Sequence, residues 1–462
     1  MPFEMALPIS SPLSSGHITF FYKIPMKKIQ VGLIGFGTVG SGLAQTLYEQ
    51  EERLVQKTGC RIHLAHIADP RLGGLPAPFQ HIRLSKDAND LFANDDLDII
   101  VELVGGLEPA RSFLLKAIAA GKHVVTANKA LLSIHGRDIF QAAMDKNVEV
   151  GFEASVGGGI PVIKALKEGL VANNILHIRG IMNGTANFIL TKMTEEGAPF
   201  AEVLAEAQRL GYAEADPTYD IEGIDTAHKL AILATIAYGR HVCLDDVNVE
   251  GISRLEPIDI NFARQFGCRI KLLAISVNHG EHIELRVHPT MVPEDHMLAS
   301  INGAFNAIEF RGDTVGDVLF YGQGAGKMPT GSAVAADVVD IARNIIHGAV
   351  GRVPPLAYLP QAMSAPVITP MSRLVCPWYF RVTAVDKPGV LAKISGVLGR
   401  YDISIKSVIQ HGRDADEPVH IVFHTHNALE EAVNRALAEI DNLDVCAAPT
   451  VKIRLLDEEE RP

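Results

Sequence analysis

Between Gly211 and Lys229 the chain places five carboxylates, Glu214, Asp216, Asp220, Glu222 and Asp225, just ahead of a single lysine. Carboxylates can fix an ammonium group, and a positioned amine can pass a proton to or from a reacting oxygen. The run that follows, Leu230 to Ala237, is apolar on nearly every side, which predicts a buried helix. Asp225 and Lys229 are four residues apart and so share one face of its first turn. A charge in that position must be paired or put to use. The positive end of the helix dipole and partial desolvation both work against the ammonium form of such a lysine, which suits it to proton transfer near neutral pH. An ordinary surface ion pair is the plainer reading; the apolar body of the helix counts against it.

The elements that must position this stretch begin with Ile29 to Ile34, a short β-rich run leading into Gly35, Gly37 and Gly40 and then a helix over 41–56. In the order strand, GxGxxG, helix, the first glycine permits the tight turn, the second lets the backbone approach a pyrophosphate, and the third lets helix and strand pack closely. The helix amino end then holds the negative charge. The next strand, 62–68, ends at Asp69 and Arg71. An acidic residue there favours the free ribose hydroxyl of NAD and an arginine accommodates the phosphate of NADP. Both are present, so the coenzyme stands as NAD or NADP. Further strands at 97–101 and 123–126 place Gly105, Gly106, Thr126, Asn128 and Lys129 at their carboxyl ends, where open parallel sheets bind ligands. The alternation of strand and helix predicts a doubly wound α/β unit.

After a strand at 148–152 comes Glu153, then Val156, Gly157, Gly158, Gly159 and Ile160. Three glycines free the backbone to turn carbonyls around a hard cation, with Glu153 as counter-charge; from the residues alone, a hinge between domains accounts for them better. A strand at 174–181 leads to Asn183, Thr185 and Asn187, small polar groups able to line a pocket, and an amphipathic helix over 200–210 delivers the chain to Gly211. Residues 248–325 read as a mostly antiparallel sheet. Gly324 and Gly326 then open a second glycine loop ahead of a helix over 332–347. Six prolines mark 351–378 as a linker, and the tail reads βαββαβ, a ferredoxin-like order.

Hydrophobic residues make up 47% of the 462, as in a packed globular protein, and the net charge of −12 argues against nucleic acid as a partner. No apolar run is long enough for a membrane span. The five cysteines are scattered without a CxxC pair, which speaks against a zinc site or a disulfide framework and for a reducing cytoplasm.

From residue 26 onward the chain resembles homoserine dehydrogenase. The matching motifs are Gly-Phe-Gly-Thr-Val-Gly at 35–40, Thr-Ala-Asn-Lys at 126–129, Glu-Ala-Ser-Val-Gly-Gly-Gly-Ile-Pro at 153–161, Asn-Gly-Thr at 183–185, and the stretch from Gly211 through Asp225 and Lys229. Asp-Lys-Pro-Gly-Val-Leu at 386–391 is similar to an ACT module, which in related enzymes senses an amino acid. The resemblance implies interconversion of L-homoserine and L-aspartate 4-semialdehyde with NAD or NADP, on the way to threonine and methionine. It implies Lys229 as proton donor and acceptor, with Glu214 and Asp225 holding the substrate. It also implies coenzyme contacts at Thr38, Val39, Lys129, Gly211 and Gly326, and a sodium ion at Glu153, Val156, Gly158 and Ile160, which reverses the hinge reading. With no kinase domain ahead of the dehydrogenase, the resemblance is to the monofunctional form, a homodimer or homotetramer.

The expected domains are a loose extension over 1–25, a Rossmann unit over 26–150 completed by the helix near 326–347, a catalytic and dimerisation unit over 151–325, the linker over 351–378 and an ACT unit over 379–462. L-threonine is expected to inhibit through the ACT unit around Asp386 to Ile394, and removing 379–462 to leave activity without inhibition. A thiol-based semialdehyde oxidation would need a cysteine beside a base, and none of the five lies in a crevice motif. A non-catalytic amino-acid sensor is the remaining alternative; Glu214, Asp225 and Lys229 together argue against it.

Overall fold

The computed structural model describes residues 27–410 and 418–456; the expected extension over 1–25 lies outside them. The first sheet holds β1 (Lys28–Ile34), β2 (Arg61–Ala68), β3 (Arg83–Ser85), β4 (Ile99–Glu102), β5 (His123–Thr126) and β6 (Val150–Gly151). They run parallel in the order β3-β2-β1-β4-β5-β6, which is the doubly wound dinucleotide-binding arrangement. β4 is buried along its whole length because helices cover both faces of a parallel sheet. The helix Lys327–His347, starting five residues earlier than its sequence suggests, returns from far along the chain to pack on the helix Thr38–Glu49. Their approach is backbone to backbone: a Cβ on Gly42 would stand 2.2 Å from the carbonyl oxygen of Lys327.

The second sheet begins with β7 (Ile175–Ile181), β8 (Asn248–Val249), β9 (Cys268–Asn278), β10 (Ile283–Pro293), β11 (Phe305–Gly312) and β12 (Gly316–Gln323). Apart from the short parallel β8, these pair antiparallel, as the missing crossover helices predict. Its helical cover includes Ile224–Tyr238, in which every residue from Asp225 to Tyr238 is buried. The short β13 (Val375–Cys376) leads into β14 (Trp378–Ala384), followed by β15 (Ile405–Gln410), β16 (Val419–Thr425), β17 (Ala428–Leu429) and β18 (Cys446–Leu455). β13 pairs with β17, while the other four form the ferredoxin-like order β18-β14-β16-β15.

The tail is not suspended from a free linker. β18 pairs in parallel with β10 at Thr290 and Met291, so the two sheets of the carboxyl-terminal half are one continuous sheet of ten strands. The Arg381 guanidinium holds Asp259 at 2.7 Å and Glu256 at 2.5 Å, and Arg454 bridges Glu250 and Glu430. The proline-rich stretch lies along the catalytic half as well, with Ser364 and Ile368 bridged to Arg240 and Ile283. Removing 379–462 would therefore strip β10 of its neighbour and leave Asp259, a fully buried carboxylate, without its cation. The clean deletion expected from the sequence is not available in this fold.

Candidate active site

Gly223, at φ +80°, turns the chain out of the acidic loop into the helix Ile224–Tyr238, putting Asp225 and Lys229 on one face of the first turn. The Lys229 ammonium donates to Asp225 Oδ2 at 2.7 Å and to the Met182 carbonyl at 2.6 Å, with its side chain about nine-tenths buried. The other Asp225 oxygen stands 3.1 Å from Lys129 Nζ. Lys129 begins the helix that follows β5, so the crevice at the carboxyl ends of the parallel strands opens directly onto the lysine and carboxylate pair. Burial alone would push the Asp225 carboxyl up. The Lys229 and Lys129 charges, with hydrogen bonds from Lys229 and Asn183, hold it well below the usual carboxylate range instead.

Asn183 is the piece that sequence reasoning placed only as a pocket lining. Its side-chain oxygen caps the helix Gly184–Glu196, while its amide donates to Asp225 at 2.9 Å and to Asp220 at 2.7 Å. Asp220 was one of five carboxylates in the loop and nothing in its spacing singled it out; the structure joins it to the dyad. Burial pushes its carboxyl up, and the neighbouring Asp225 charge adds to the effect. Beside the pair, His228 shares a 2.5 Å hydrogen bond with Ser133, tying the helix of Lys229 to that of Lys129. Glu214 is placed differently: it is exposed, and among the described residues its carboxylate has no hydrogen bond or ion pair. Its loop is held through the Tyr212 carbonyl, which accepts from Thr185 at 2.7 Å, and by the stacking of Tyr212 on Phe188.

The glycine loop fits a dinucleotide glycine by glycine. Gly35 adopts φ +92°, a Cβ at Gly40 would lie 2.2 Å from the Gly35 oxygen, and a Cβ at Gly37 would meet nothing within 4 Å. The loop is thus closed where helix packs on strand and open where a pyrophosphate would approach Thr38 and Val39. Asp69 is fully engaged, accepting the Phe36 and Arg71 amides at 3.0 Å each and the Arg71 guanidinium at 3.3 and 3.4 Å. Those four donors occupy the acceptor positions of a carboxylate. Arg71 keeps about three-quarters of its side chain exposed. Thr126, expected at the coenzyme, is wholly buried and donates its hydroxyl to Glu102, which in turn accepts the amides of Val104 and Gly105. Its hydroxyl is thus taken up at the loop that follows β4.

Gly157 and Gly158 are both left-handed, as a turning of carbonyls requires, and Gly158 packs against the Gly324 carbonyl. Gly326, at φ +127°, caps the returning helix beside them, while Gly211, at φ +78°, lies exposed at the end of the helix Phe200–Arg209. The Glu153 carboxylate is taken up by the amides of Ile163 and Lys164 at 2.8 Å each.

A doubly wound sheet with an open glycine loop, joined to a buried lysine and carboxylate at its crevice, defines a nicotinamide-dependent oxidoreductase. Comparison with known proteins narrows the class. Residues 35–153 match the homoserine dehydrogenase NAD binding domain, 161–339 the homoserine dehydrogenase domain and 378–445 the ACT domain. The homoserine dehydrogenases of Pseudomonas aeruginosa and Neisseria gonorrhoeae are each 45% identical to this chain, over 93% of it and 99% of their own length. The solved homoserine dehydrogenase of Thiobacillus denitrificans is 48% identical, with a TM-score of 0.89 over 94% of this chain and 99% of its own. A hyperthermophilic archaeal homoserine dehydrogenase, solved in complex with NADPH, is 26% identical with a TM-score of 0.58 over 68% of this chain and 98% of its own. The chain belongs to the homoserine dehydrogenase family, and its amino-terminal, catalytic and ACT parts all match. Among the described residues no helix is long and apolar enough to cross a membrane.

Proposed function

We propose that the chain interconverts L-homoserine and L-aspartate 4-semialdehyde with Lys229 as the proton carrier, and that the observation carrying this is the buried contact of Lys229, Asp225 and Lys129 at the coenzyme crevice. The bound coenzyme supplies or accepts the hydride. In the reducing direction Lys229 delivers one proton to the carbonyl oxygen; in the oxidising direction it takes the hydroxyl proton back. Asp225 holds the Lys229 amine in place through the short hydrogen bond. Asp220, and Glu214 from its exposed loop, are the carboxylates available to fix the ammonium of the amino acid. An assay at 340 nm with homoserine and each coenzyme tests this, and a folded protein that neither oxidises homoserine nor reduces the semialdehyde would leave the amino-acid sensor as the better reading.

NADP is the coenzyme this reading favours, because Asp69 has no acceptor position left for a ribose hydroxyl while the exposed Arg71 guanidinium suits a phosphate. For sodium, the backbone of Val156, Gly158 and Ile160 supplies carbonyls in a suitable turn, whereas Glu153 already caps two amides; sodium-dependent protection of this loop from hydrogen exchange tests it. L-threonine is proposed to act at the ACT part, where Gly389 at φ +89° starts the helix Val390–Arg400. Since the tail shares its sheet with the catalytic half, the test is Asp386→Ala in the full chain. Threonine inhibition should be lost while uninhibited turnover is kept; inhibition of unchanged strength would count against the ACT part. A homodimer or homotetramer is proposed, with residues 151–325 as its dimerisation unit.

A further inference from the structure

Away from the crevice, β7, β11 and β12 bring three donors together on one face of the ten-stranded sheet. Register places His177 opposite Arg311, and Arg311 opposite Asp317, so His177, Glu309 and Asp317 project from three adjacent strands. His177 and Glu309 are more than nine-tenths buried, while Asp317 is half exposed and opens the group to solvent. Among the described residues this is the group of three histidine, cysteine or carboxylate side chains whose donor atoms all lie within 4.8 Å of one another.

The spacing is what points to an ion. His177 Nε2 is buried without a hydrogen-bond partner; its nearest carboxylate oxygens are Glu309 Oε1 at 3.5 Å and Asp317 Oδ1 at 3.8 Å. His296 Nε2 stands 3.9 Å from Glu309 Oε2. These gaps are wide for charge-assisted hydrogen bonds, which close to about 2.7–2.9 Å. The 3.5 Å gap between His177 and Glu309 suits two ligands of a zinc-class ion, since tetrahedral donors about 2.0–2.2 Å from the metal stand roughly 3.3–3.6 Å from each other, and the half-exposed Asp317, at 3.8 Å, has only a short way to close. Two guanidiniums face the same group. Arg311 lies 3.5 Å from Asp317 Oδ2, leaving Oδ1 toward His177, and Arg179 lies 4.0 Å from Glu309 Oε1. They balance the carboxylates when no cation is bound, and Arg311 would orient its carboxylate as an outer-shell partner when one is.

We propose that His177, Glu309 and Asp317 form a three-ligand site for one divalent cation of the zinc class, whose remaining position faces solvent beside Asp317. The site is structural. His177 is five residues upstream of Met182, whose carbonyl holds Lys229, a distance of about 16 Å along an extended strand. A cation there clamps three strands, including the one that delivers Met182 and Asn183 to the dyad.

The test uses untagged, full-length, chelator-stripped protein titrated with Co²⁺ and followed by visible absorption, then with Zn²⁺ as competitor. One Co²⁺ per chain with ligand-field bands, displacement by Zn²⁺ and a Zn²⁺-dependent rise in melting temperature are expected. His177→Gln should abolish the bands. Asp317→Asn, at a half-exposed position that does not threaten folding, should weaken binding at least about tenfold. No stoichiometric Co²⁺ uptake by the unaltered protein would make the cluster an ion-pair network alone and overturn the proposal, as would equal uptake by Asp317→Asn.

Discussion

Replacing Lys229 by alanine removes an amine that is buried, hydrogen-bonded to a carboxylate and set at the crevice. A general acid or base contributes about 10² to 10⁴ in rate, equivalent to about 2.7–5.4 kcal/mol of activation free energy. The structure argues that folding survives. Removing one member of a buried ion pair costs about 3–5 kcal/mol when the other is left uncompensated, but Asp225 would keep Lys129 at 3.1 Å and Asn183 at 2.9 Å. The fall should therefore appear in turnover at saturating homoserine, read at 340 nm, with a smaller change in KM and a folded circular-dichroism spectrum. Small primary amines added to the variant should restore part of the rate, because the truncated side chain leaves room beside Asp225. Lys129 is the only other amine on that carboxylate among the described residues, so the double variant with Lys129→Met should lose more than either single one. Turnover within threefold of the unaltered enzyme would refute the proton role, as would a loss matched by the fraction of unfolded protein.

Three further outcomes are expected. Arg71→Ala should raise KM for NADP by about 10- to 150-fold, the worth of about 1.5–3 kcal/mol for a hydrogen bond to a charged group, while barely altering KM for NAD; equal effects on both would remove Arg71 from phosphate recognition. Gly37→Ala should fold normally but bind coenzyme poorly, whereas Gly40→Ala, with its Cβ driven onto the Gly35 oxygen, should lose about 1–3 kcal/mol or more in urea unfolding; the reverse ranking would contradict the loop geometry. The Asp225 carboxyl is held below its unfolded value of about 3.9 by Lys229 and Lys129. Its stabilisation is then fully present above that pH and lost as pH falls through the folded value. Asp225→Asn should flatten that acid limb of the urea midpoint against pH, with Asp220 and His228 titrating in both proteins; an unchanged limb would deny the coupling.

Local pattern determined much of this protein. Glycines at 35, 37 and 40 between a β-rich run and a helix can do little else than turn, open and pack, and an apolar surround on the helix 224–238 obliges it to be buried. The i, i+4 spacing of Asp225 and Lys229 makes them neighbours wherever that helix lies. What the sequence could not determine is which distant groups meet. Lys129 reaches Asp225, and Asn183 joins Asp220 to the same carboxylate, only because β5, β7 and the buried helix pack into one crevice. Asp69 and Arg71 both read as ribose contacts in the sequence; that Asp69 also accepts the Phe36 amide is a fact of the fold alone. The tail read as a separate module because its βαββαβ order is self-sufficient; only the pairing of β18 with β10 made it part of the catalytic sheet. Backbone hydrogen bonding between strands carries no local residue signature, so an edge that accepts a neighbour looks in sequence like one that stays free.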